Sequence, residues 1–362
     1  MKLIMLGAAP GARGSIAATL EAWRANGLYE RWPAEHLAVH GEGALNAGVL
    51  RELALFLARE KGAVLHVHAS GADIWRASGF IAAAAAARHP SILQLHGGDF
   101  AGCYERSGSM TRMALKAALK LALRVVVPSE RLGAWVRSIE REARIAYVPP
   151  PVQQPAAGAP LHERPRLVLF LGRLDARKGV LDLVEALASL RGAVPGIRLV
   201  CGGEGDRAAV THQAERLGIA EAVKFTGWVG PSGKRALLES AAVLAAPTYA
   251  EGLPLTVLEA MAAGVPVVAS PASGVLEALS DGVSGLLAAP GDVATLARQL
   301  RRLLLEPHTA ARIGAAARET ARLRFSPERS LAHLAEVYAD AGLSSNGAPV
   351  ATPREPDMRQ AA

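Results

Sequence analysis

Glu251 and Glu259 lie eight residues apart, on either side of a Gly-Leu-Pro turn. Pro254 fixes φ and lacks the backbone donor that a first helical turn leaves unpaired, so a helix is predicted to begin there. The N–H groups that follow Gly252, together with the helix dipole, favour an anion such as phosphate. Glu259, about one turn into the helix, is suited to sugar hydroxyls, and Glu251 is placed to reach another part of the same ligand.

The same segment also has a purely structural interpretation. Leu255, Leu258, Met261 and Ala262 have the spacing of a stripe that faces a core, and a glutamate before a turn is often a helix cap. Taken alone, the segment is compatible with either interpretation.

Polar residues follow three predicted strands, and ligands of open parallel sheets bind beyond the carboxyl ends of strands. Arg173 and Lys178 follow the strand that ends at Leu171. They could neutralise a diphosphate, Arg173 through a bidentate fork and Lys178 as a point charge. A solvated basic turn is the alternative.

Two further turns could contribute to the same site. Gly203 and Glu204 lie in a glycine-rich turn that permits close backbone approach to a ligand, although any tight strand-to-helix turn can contain such glycines. Trp228 and Val229 follow the next strand and could form an apolar wall for a nucleobase.

The elements that must position these residues alternate along the whole chain of 362 residues. Short β-branched runs alternate with longer Ala/Leu/Arg-rich segments, which is typical of parallel strands with crossover helices, and the length favours two domains. Strands are predicted at 3–6, 64–67, 92–95, 125–127, 145–148, 167–171, 197–200, 223–225, 243–246, 265–268 and 285–287. The predicted organisation is an N-terminal Rossmann-like domain (1–150), a Pro-rich linker (151–165), a second domain (166–325), a helix (326–342) that crosses back to the first domain, and a disordered tail (343–362).

Composition favours a cytoplasmic protein. Only two cysteines occur, so neither a disulfide framework nor a cysteine metal site is expected. Apolar runs are shorter than the ~20 residues of a membrane span. The net charge is +7, and residues 1–150 hold 18 Lys and Arg against 12 Asp and Glu. The first domain is therefore the one expected to face an anionic partner.

In their order and spacing, these motifs resemble the donor-binding domain of retaining GT-B glycosyltransferases of family 4. The resemblance covers roughly 166–290 and rests on Gly172-Arg173 with Lys178-Gly179, Gly202-Gly203-Glu204-Gly205, Thr226-Gly227-Trp228, the pair Glu251 and Glu259, and the run from Asp281 to Leu287.

The family resemblance implies a fold of two Rossmann-like domains that face each other across a cleft. It also implies that Arg173 and Lys178 contact the donor diphosphate and that Glu259 holds the ribose. Glu251 would contact the donor sugar. Phosphate would be bound by the backbone of Gly252, Leu253, Pro254 and Leu255.

The first half is expected to supply the acceptor side. The loop that ends in Gly14-Ser15 lacks the lysine of a P-loop, which argues against a nucleotide triphosphatase. By resemblance, Gly14 lets the donor phosphate approach, and His96 lies near the reacting centre. One of His66 and His68 is expected in the core and the other facing the cleft.

The expected reaction is transfer of a hexose from a nucleoside-diphosphate sugar, with retention, without a metal and without a further cofactor. A non-catalytic sugar-nucleotide-binding protein, a GT-B sugar-nucleotide epimerase and an inverting transferase are the alternatives. A looser resemblance to bacterial enzymes that build surface glycans suggests a glycan or lipid-linked acceptor.

A basic helix face could bring the protein to a membrane. Arg112, Lys116, Lys120 and Arg124 recur every fourth residue, which is typical of a basic amphipathic helix at an anionic membrane. A solvated helix face over an ordinary core is one alternative, and another is that Arg124 already belongs to the next strand.

Overall fold

A computed structural model describes residues 2–39, 47–60, 62–97, 100–156, 158–249, 252–272 and 274–346. The chain divides into two compact units. Unit 1 comprises Met1–Pro151 and Phe325–Ala362, and unit 2 comprises Val152–Arg324.

Twelve strands are formed by the described residues. They are β1 (Leu3–Gly7), β2 (Ala34–Ala38), β3 (Val64–Ala69), β4 (Ser91–Leu95), β5 (Arg124–Val127), β6 (Ile145–Tyr147), β7 (Leu167–Leu171), β8 (Arg198–Gly202), β9 (Val223–Gly227), β10 (Val243–Ala246), β11 (Val267–Ala269) and β12 (Leu286–Leu287).

The helices lie between the strands and after the last one. They are α1 (Ser15–Ala25), α2 (Leu28–Arg31), α3 (Ala47–Arg59), α4 (Ile74–Ala86), α5 (Phe100–Arg106), α6 (Ser109–Leu121), α7 (Glu130–Ile139), α8 (Val180–Leu190), α9 (Arg207–Arg216), α10 (Pro231–Ser240), α11 (Leu255–Ala262), α12 (Val275–Ala278), α13 (Val293–Leu305), α14 (Pro307–Phe325) and α15 (Pro327–Asp340).

Unit 1 contains a six-stranded parallel sheet in the order β2-β1-β3-β4-β5-β6. The interior strand β1 is buried along its whole length, as a strand covered by helices on both faces must be. Chain order reverses between β1 and β3, so this is the topological switch point where such sheets bind ligands.

Helix α15 completes the core of unit 1 although it comes at the far end of the chain. Ser326 caps its first turn, and Pro327 occupies the first helical position. Its Tyr338 is fully buried together with Trp23 and Met5. The Trp23 indole N–H donates to Ser330 Oγ over 2.8 Å. Residues from the two ends of the chain therefore share one hydrophobic core.

Unit 2 contains a second six-stranded parallel sheet, in the order β12-β11-β10-β7-β8-β9. Its switch point lies between β7 and β10. Helices α8 and α13 pack their apolar faces on this sheet through Leu183, Leu187 and Leu300, all of which are almost fully buried. The predicted doubly wound α/β class is confirmed for both units.

Several details differ from the sequence-based expectations. Strand β2 was not predicted, because Glu35 and His36 interrupt its apolar character and it lies at an edge, half-exposed. The segment predicted as a linker packs on unit 2, where the Gln154 amide donates to the Arg318 carbonyl. The tail predicted from 343 is ordered at its start, since Leu343 is buried and donates its N–H to the Tyr338 carbonyl. Residues 347–362 lie outside the described part of the chain.

Candidate active site

The loops after β7, β8 and β9 are joined by backbone hydrogen bonds at the carboxyl edge of the unit 2 sheet. Gly172 N–H donates to Gly202 O over 2.9 Å, and Gly203 N–H donates to Gly227 O over 2.7 Å. Leu174 N–H donates to the Glu204 carbonyl, so the contribution of Glu204 to this framework is made by its backbone. The three motifs predicted from sequence therefore form one connected surface.

Gly203 is required by this arrangement. Its φ of 145° is rarely adopted by residues with a side chain, and an added Cβ would clash with the carbonyl oxygen of Gly172. Two loops thus approach each other more closely than any other residue type at this position would allow.

Arg173 and Lys178 lie in the loop after β7 and share an acidic neighbour. The Arg173 guanidinium lies 2.9 Å from Asp175 Oδ2, and its side chain is 66% exposed. Asp175 is also the N-cap residue of a 3-10 turn (Ala176–Lys178), and its side chain accepts a hydrogen bond from the backbone N–H of Lys178. Burial lowers the pKa of Lys178 to about 8, with Asp175 opposing that shift and Arg173 adding to it. A bound anion would stabilise the ammonium form of Lys178, because it would take the place of the water that burial removes.

The loop after β10 is hydrogen-bonded to the loop after β7. Tyr249 N–H and Thr248 Oγ1 both donate to the Arg177 carbonyl, over 2.8 and 3.1 Å. The Tyr249 hydroxyl donates to Asp182 Oδ2 over 2.8 Å. Since β7 and β10 are neighbours at the switch point, the two loops meet where a ligand is expected. The predicted site residue Glu251 lies outside the described residues.

Helix α11 begins at Leu255, one residue after the predicted start, and Pro254 is its N-cap residue. No described side chain caps it, and its first turn holds no acidic residue. Leu253 is buried and Gly252 is half-buried beside Gly274, whose added Cβ would clash with the Gly252 carbonyl. The start of α11 therefore joins the positive end of a helix dipole to a first turn without an acidic side chain, which favours an anion.

Glu259 forms an ion pair that the sequence did not indicate. Lys234 of α10 donates to both carboxylate oxygens of Glu259, over 2.6 and 2.8 Å, and both side chains are mostly buried. Burial raises the pKa of Glu259, and the Lys234 ammonium opposes that rise. The lysine thus keeps a buried carboxylate charged and fixed in orientation.

Trp228 and Val229 follow β9. Trp228 is 46% exposed, which is unusual for so large an apolar side chain. Val229 is half-buried and packs beside Gly202. The exposed indole is available as a stacking surface for a planar ring.

In unit 1 the three predicted histidines form one buried cluster. His68 Nδ1 lies 2.7 Å from His96 Nε2, and the rings of His66 and His68 are 4.3 Å apart. His66 Nδ1 bonds the Tyr338 hydroxyl over 2.9 Å. Burial lowers the pKa of both His66 and His96 to about 3, so these rings are neutral at neutral pH.

The loop after β1 contains Gly14, which is the N-cap residue of α1 and has a φ of 114°. Gly14 is exposed, and an added Cβ would have open space around it. Its conformation, rather than a close neighbour, favours glycine.

The predicted basic face is not a single solvated stripe. Arg124 belongs to β5 and pairs with Asp340 of α15 over 2.7 Å, so its place on the α6 face was wrong. Arg112 donates to the backbone carbonyls of Tyr104 and Glu105. Lys120 pairs with Glu142 over 3.1 Å, and Lys116 is exposed.

The described residues form neither a membrane-spanning helix nor a cluster of metal ligands. None of the described helices combines the length and the apolar character that crossing a bilayer requires. No cluster of three or more His, Cys, Asp or Glu side chains suited to a metal ion occurs in that part of the chain.

Comparison with known proteins shows which solved fold and which protein family this chain is similar to. Across 94% of this chain and all of the other, the fold matches a solved structure of Anabaena Alr3699/HepE in complex with UDP, with a TM-score of 0.75 and 18% identity. Residues 156–320 match the family model of glycosyl transferases group 1.

Two curated relatives share sequence with this chain. Glycogen synthase of Mycobacterium tuberculosis is 37% identical over 175 residues, which is 48% of this chain and 42% of the relative. The putative glycosyltransferase EpsD of Bacillus subtilis is 36% identical over 177 residues, covering 48% and 45% of the two chains. The chain thus spans about half the length of the curated relatives it matches.

The fold is GT-B, as expected from the resemblance. The match to the family model of glycosyl transferases group 1 covers nearly all of unit 2.

Proposed function

We propose that this protein is a glycosyltransferase that moves a hexose from a nucleoside-diphosphate sugar to an acceptor hydroxyl. The observation that carries the proposal is the carboxyl edge of the unit 2 sheet, where Arg173, Lys178 and Glu259 belong to the loops and helix around one switch point. The UDP bound to Anabaena Alr3699/HepE supports a uridine nucleotide as the first donor to test.

Each group has a part in donor binding. Arg173 and Lys178 bind the diphosphate together with the first-turn N–H groups of α11. Glu259, held by Lys234, accepts hydrogen bonds from the ribose hydroxyls. Trp228 provides the stacking surface for the base.

The transfer breaks the bond between the anomeric carbon and the diphosphate oxygen and forms a bond from that carbon to the acceptor oxygen. Negative charge develops on the leaving diphosphate, where preorganised cations and N–H groups stabilise it. The acceptor proton passes to the departing phosphate oxygen, and the acceptor attacks from the same face, which gives retention. In this scheme the cations of the site do the work that a divalent metal would otherwise do.

We further propose a lipid-linked or polysaccharide glycan as the acceptor, with peripheral attachment to the cytoplasmic face of an anionic membrane. Support comes from the exposed face of α6, where Met110 is 79% and Met113 is 69% exposed beside Lys116. Apolar side chains next to a cation fit the boundary of a bilayer. Co-sedimentation with vesicles tests this directly: Met113→Asp should release the protein from phosphatidylglycerol vesicles, and equal binding to phosphatidylcholine would contradict it.

The transferase assignment is tested by the release of nucleoside diphosphate. A panel of sugar nucleotides is first screened for thermal stabilisation, and the best donor is then incubated with candidate glycan acceptors. Diphosphate release that depends on the acceptor, with an α-linked product from an α-linked donor, is expected. Donor binding without release for any acceptor would make the protein a binder instead.

Arg173→Ala tests whether this cation stabilises the leaving diphosphate. Loss of one preorganised cation should slow transfer by on the order of a hundredfold. The control is Arg298→Ala, on the exposed face of α13, where the guanidinium bonds only a neighbouring threonine among the contacts described. Full turnover by Arg173→Ala with unchanged donor affinity would refute the assignment.

A further inference from the structure

Tyr249 lies in the loop between β10 and α11, and its side chain is 50% exposed. Burial of apolar surface therefore contributes little to its placement. Its backbone and its side chain are nonetheless both hydrogen-bonded. The N–H donates to the Arg177 carbonyl over 2.8 Å, and the hydroxyl donates to Asp182 Oδ2 over 2.8 Å. Polar contacts rather than the core hold this residue in place.

The partner of the hydroxyl is a carboxylate at the start of a helix. Asp182 lies in the first turn of α8, where its charge also interacts favourably with the helix dipole. Its hydrogen bond raises the pKa of the Tyr249 phenol, so the phenol keeps its proton and remains the donor. The hydroxyl also lies close to Gly291, where an added Cβ would be 3.2 Å from the oxygen. The phenol therefore lies between α8 and the loop before α13.

The two helices that begin near the proposed diphosphate lie on opposite faces of the unit 2 sheet. From β7 the chain steps to β8 on one side, and from β10 it steps to β11 on the other side. Because crossovers between parallel strands are almost always right-handed, these opposite steps place α8 and α11 on opposite faces. Lys178, just before α8, and the first turn of α11 can therefore bind one diphosphate only if the two loops are fixed relative to each other.

The two loops touch at the first residue of this junction, Gly179, which is the N-cap of α8. An added Cβ at Gly179 would clash with the Pro247 carbonyl oxygen. The bond from Tyr249 to Asp182 adds an attachment three residues further along α8. Two attachments at different points of a helix restrain the orientation of the loop as well as its distance.

We propose that Tyr249 is a positioning residue for the donor site. Its hydrogen bond to Asp182 holds the loop between β10 and α11 so that Lys178 and the first turn of α11 face the same diphosphate. The inference rests on the proposed function and gives Tyr249 no contact with the donor itself. Without the bond, the loop has more conformational freedom, and donor binding must order it at a cost in affinity.

Calorimetry of UDP binding to the full-length protein tests this role. Tyr249→Phe keeps the ring and removes the hydroxyl, and it should weaken UDP binding roughly threefold to tenfold, as expected when a side chain must be ordered on binding. Asp182→Ala should weaken binding to a similar extent. Asp182→Asn keeps an acceptor oxygen and should recover most of the affinity. The double variant of Tyr249→Phe and Asp182→Ala should bind no more weakly than either single variant, because both remove the same bond.

Two controls match these variants. Tyr147→Phe removes a tyrosine hydroxyl from β6 of unit 1, where it accepts from the Arg137 guanidinium over 3.3 Å. Glu185→Ala removes an exposed carboxylate from α8. Both should bind UDP as the native protein does. Denaturant titration of each variant gives its free energy of unfolding, so that a loss of UDP affinity is compared with any loss of stability.

Several results would overturn the proposal. One is native UDP affinity in Tyr249→Phe, whether or not its free energy of unfolding falls. Another is an affinity of Asp182→Asn as low as that of Asp182→Ala, and a third is additive losses in the double variant. Failure of UDP to bind the native protein would instead contradict the proposed function, so the two failures are distinguishable.

Discussion

Lys178 makes the affinity for the donor depend on pH. Burial lowers its pKa to about 8, so roughly nine-tenths of the side chains are charged at pH 7 and roughly one-tenth at pH 9. If only the ammonium form binds the diphosphate, the dissociation constant of UDP should rise about tenfold between these pH values, which is about 1.4 kcal/mol.

Calorimetric titration of UDP at pH 7, 8 and 9 measures this change, and Lys178→Arg is the matched control. Arginine stays charged throughout this range, so the variant should lose most of the pH dependence while other titrations remain. Lys178→Met should bind weakly and independently of pH. A tenfold rise that persists in Lys178→Arg would refute the assignment to this residue.

The free energy of unfolding of the unliganded protein should rise with pH over the range in which the affinity for UDP falls. In the unfolded chain a lysine keeps its proton up to about pH 10.5, whereas folded Lys178 loses it near 8. The unfolded state therefore binds more protons in this window, and the contribution of Lys178 to stability rises with pH. Denaturant titrations measure the free energy of unfolding of the native protein and of Lys178→Arg at several pH values. The difference between the two proteins should change between pH 8 and 10.5. A difference that stays constant over this range would contradict the lowered pKa.

Two substitutions test the framework of the unit 2 site. Lys234→Met leaves the mostly buried Glu259 carboxylate without its cation and should cost about 1–3 kcal/mol in the free energy of unfolding. The double variant with Glu259→Gln should recover part of that loss, and no loss in the single variant would contradict the pairing. Gly203→Ala should abolish UDP binding while leaving far-ultraviolet circular dichroism unchanged, since its Cβ would clash with the Gly172 carbonyl. Unchanged affinity of Gly203→Ala for UDP would show that UDP binding does not depend on the close approach of the loops after β7 and β8.

Strand positions were predictable where apolar character was continuous. The run at 167–171 is buried on both sides and was assigned with its exact bounds. Strand β2 was not predicted because an edge strand needs little apolar surface. Its residues Glu35 and His36 interrupt the apolar run by which a strand is recognised. Hydrophobic pattern therefore locates central strands better than edge strands.

Residues of the candidate site were predictable where they follow strands in recognisable turns. Arg173 and Lys178 are of this kind, because glycines and chain direction mark the loop that carries them. Lys234 was not, because only the three-dimensional fold brings α10 beside Glu259, 25 residues further along the chain.

Helix periodicity alone was a poor guide to the basic face. Arg124 has the right spacing from Lys120, but the helix ends at Leu121 and the chain enters β5. Spacing assigns residues to a common face only while the helix continues.

The docking of α15 on unit 1 has a consequence for synthesis of the chain on the ribosome. Residues 1–151 leave the ribosome before unit 2, yet Tyr338 and Ser330, which complete the packing around Trp23, are made after unit 2. Unit 2 is continuous in sequence and can finish folding while unit 1 still waits for its final helix. The nascent first segment must therefore keep an unfinished apolar surface from aggregating while unit 2 is made, and a message truncated before α15 would yield a polypeptide with a finished second unit and an open first one.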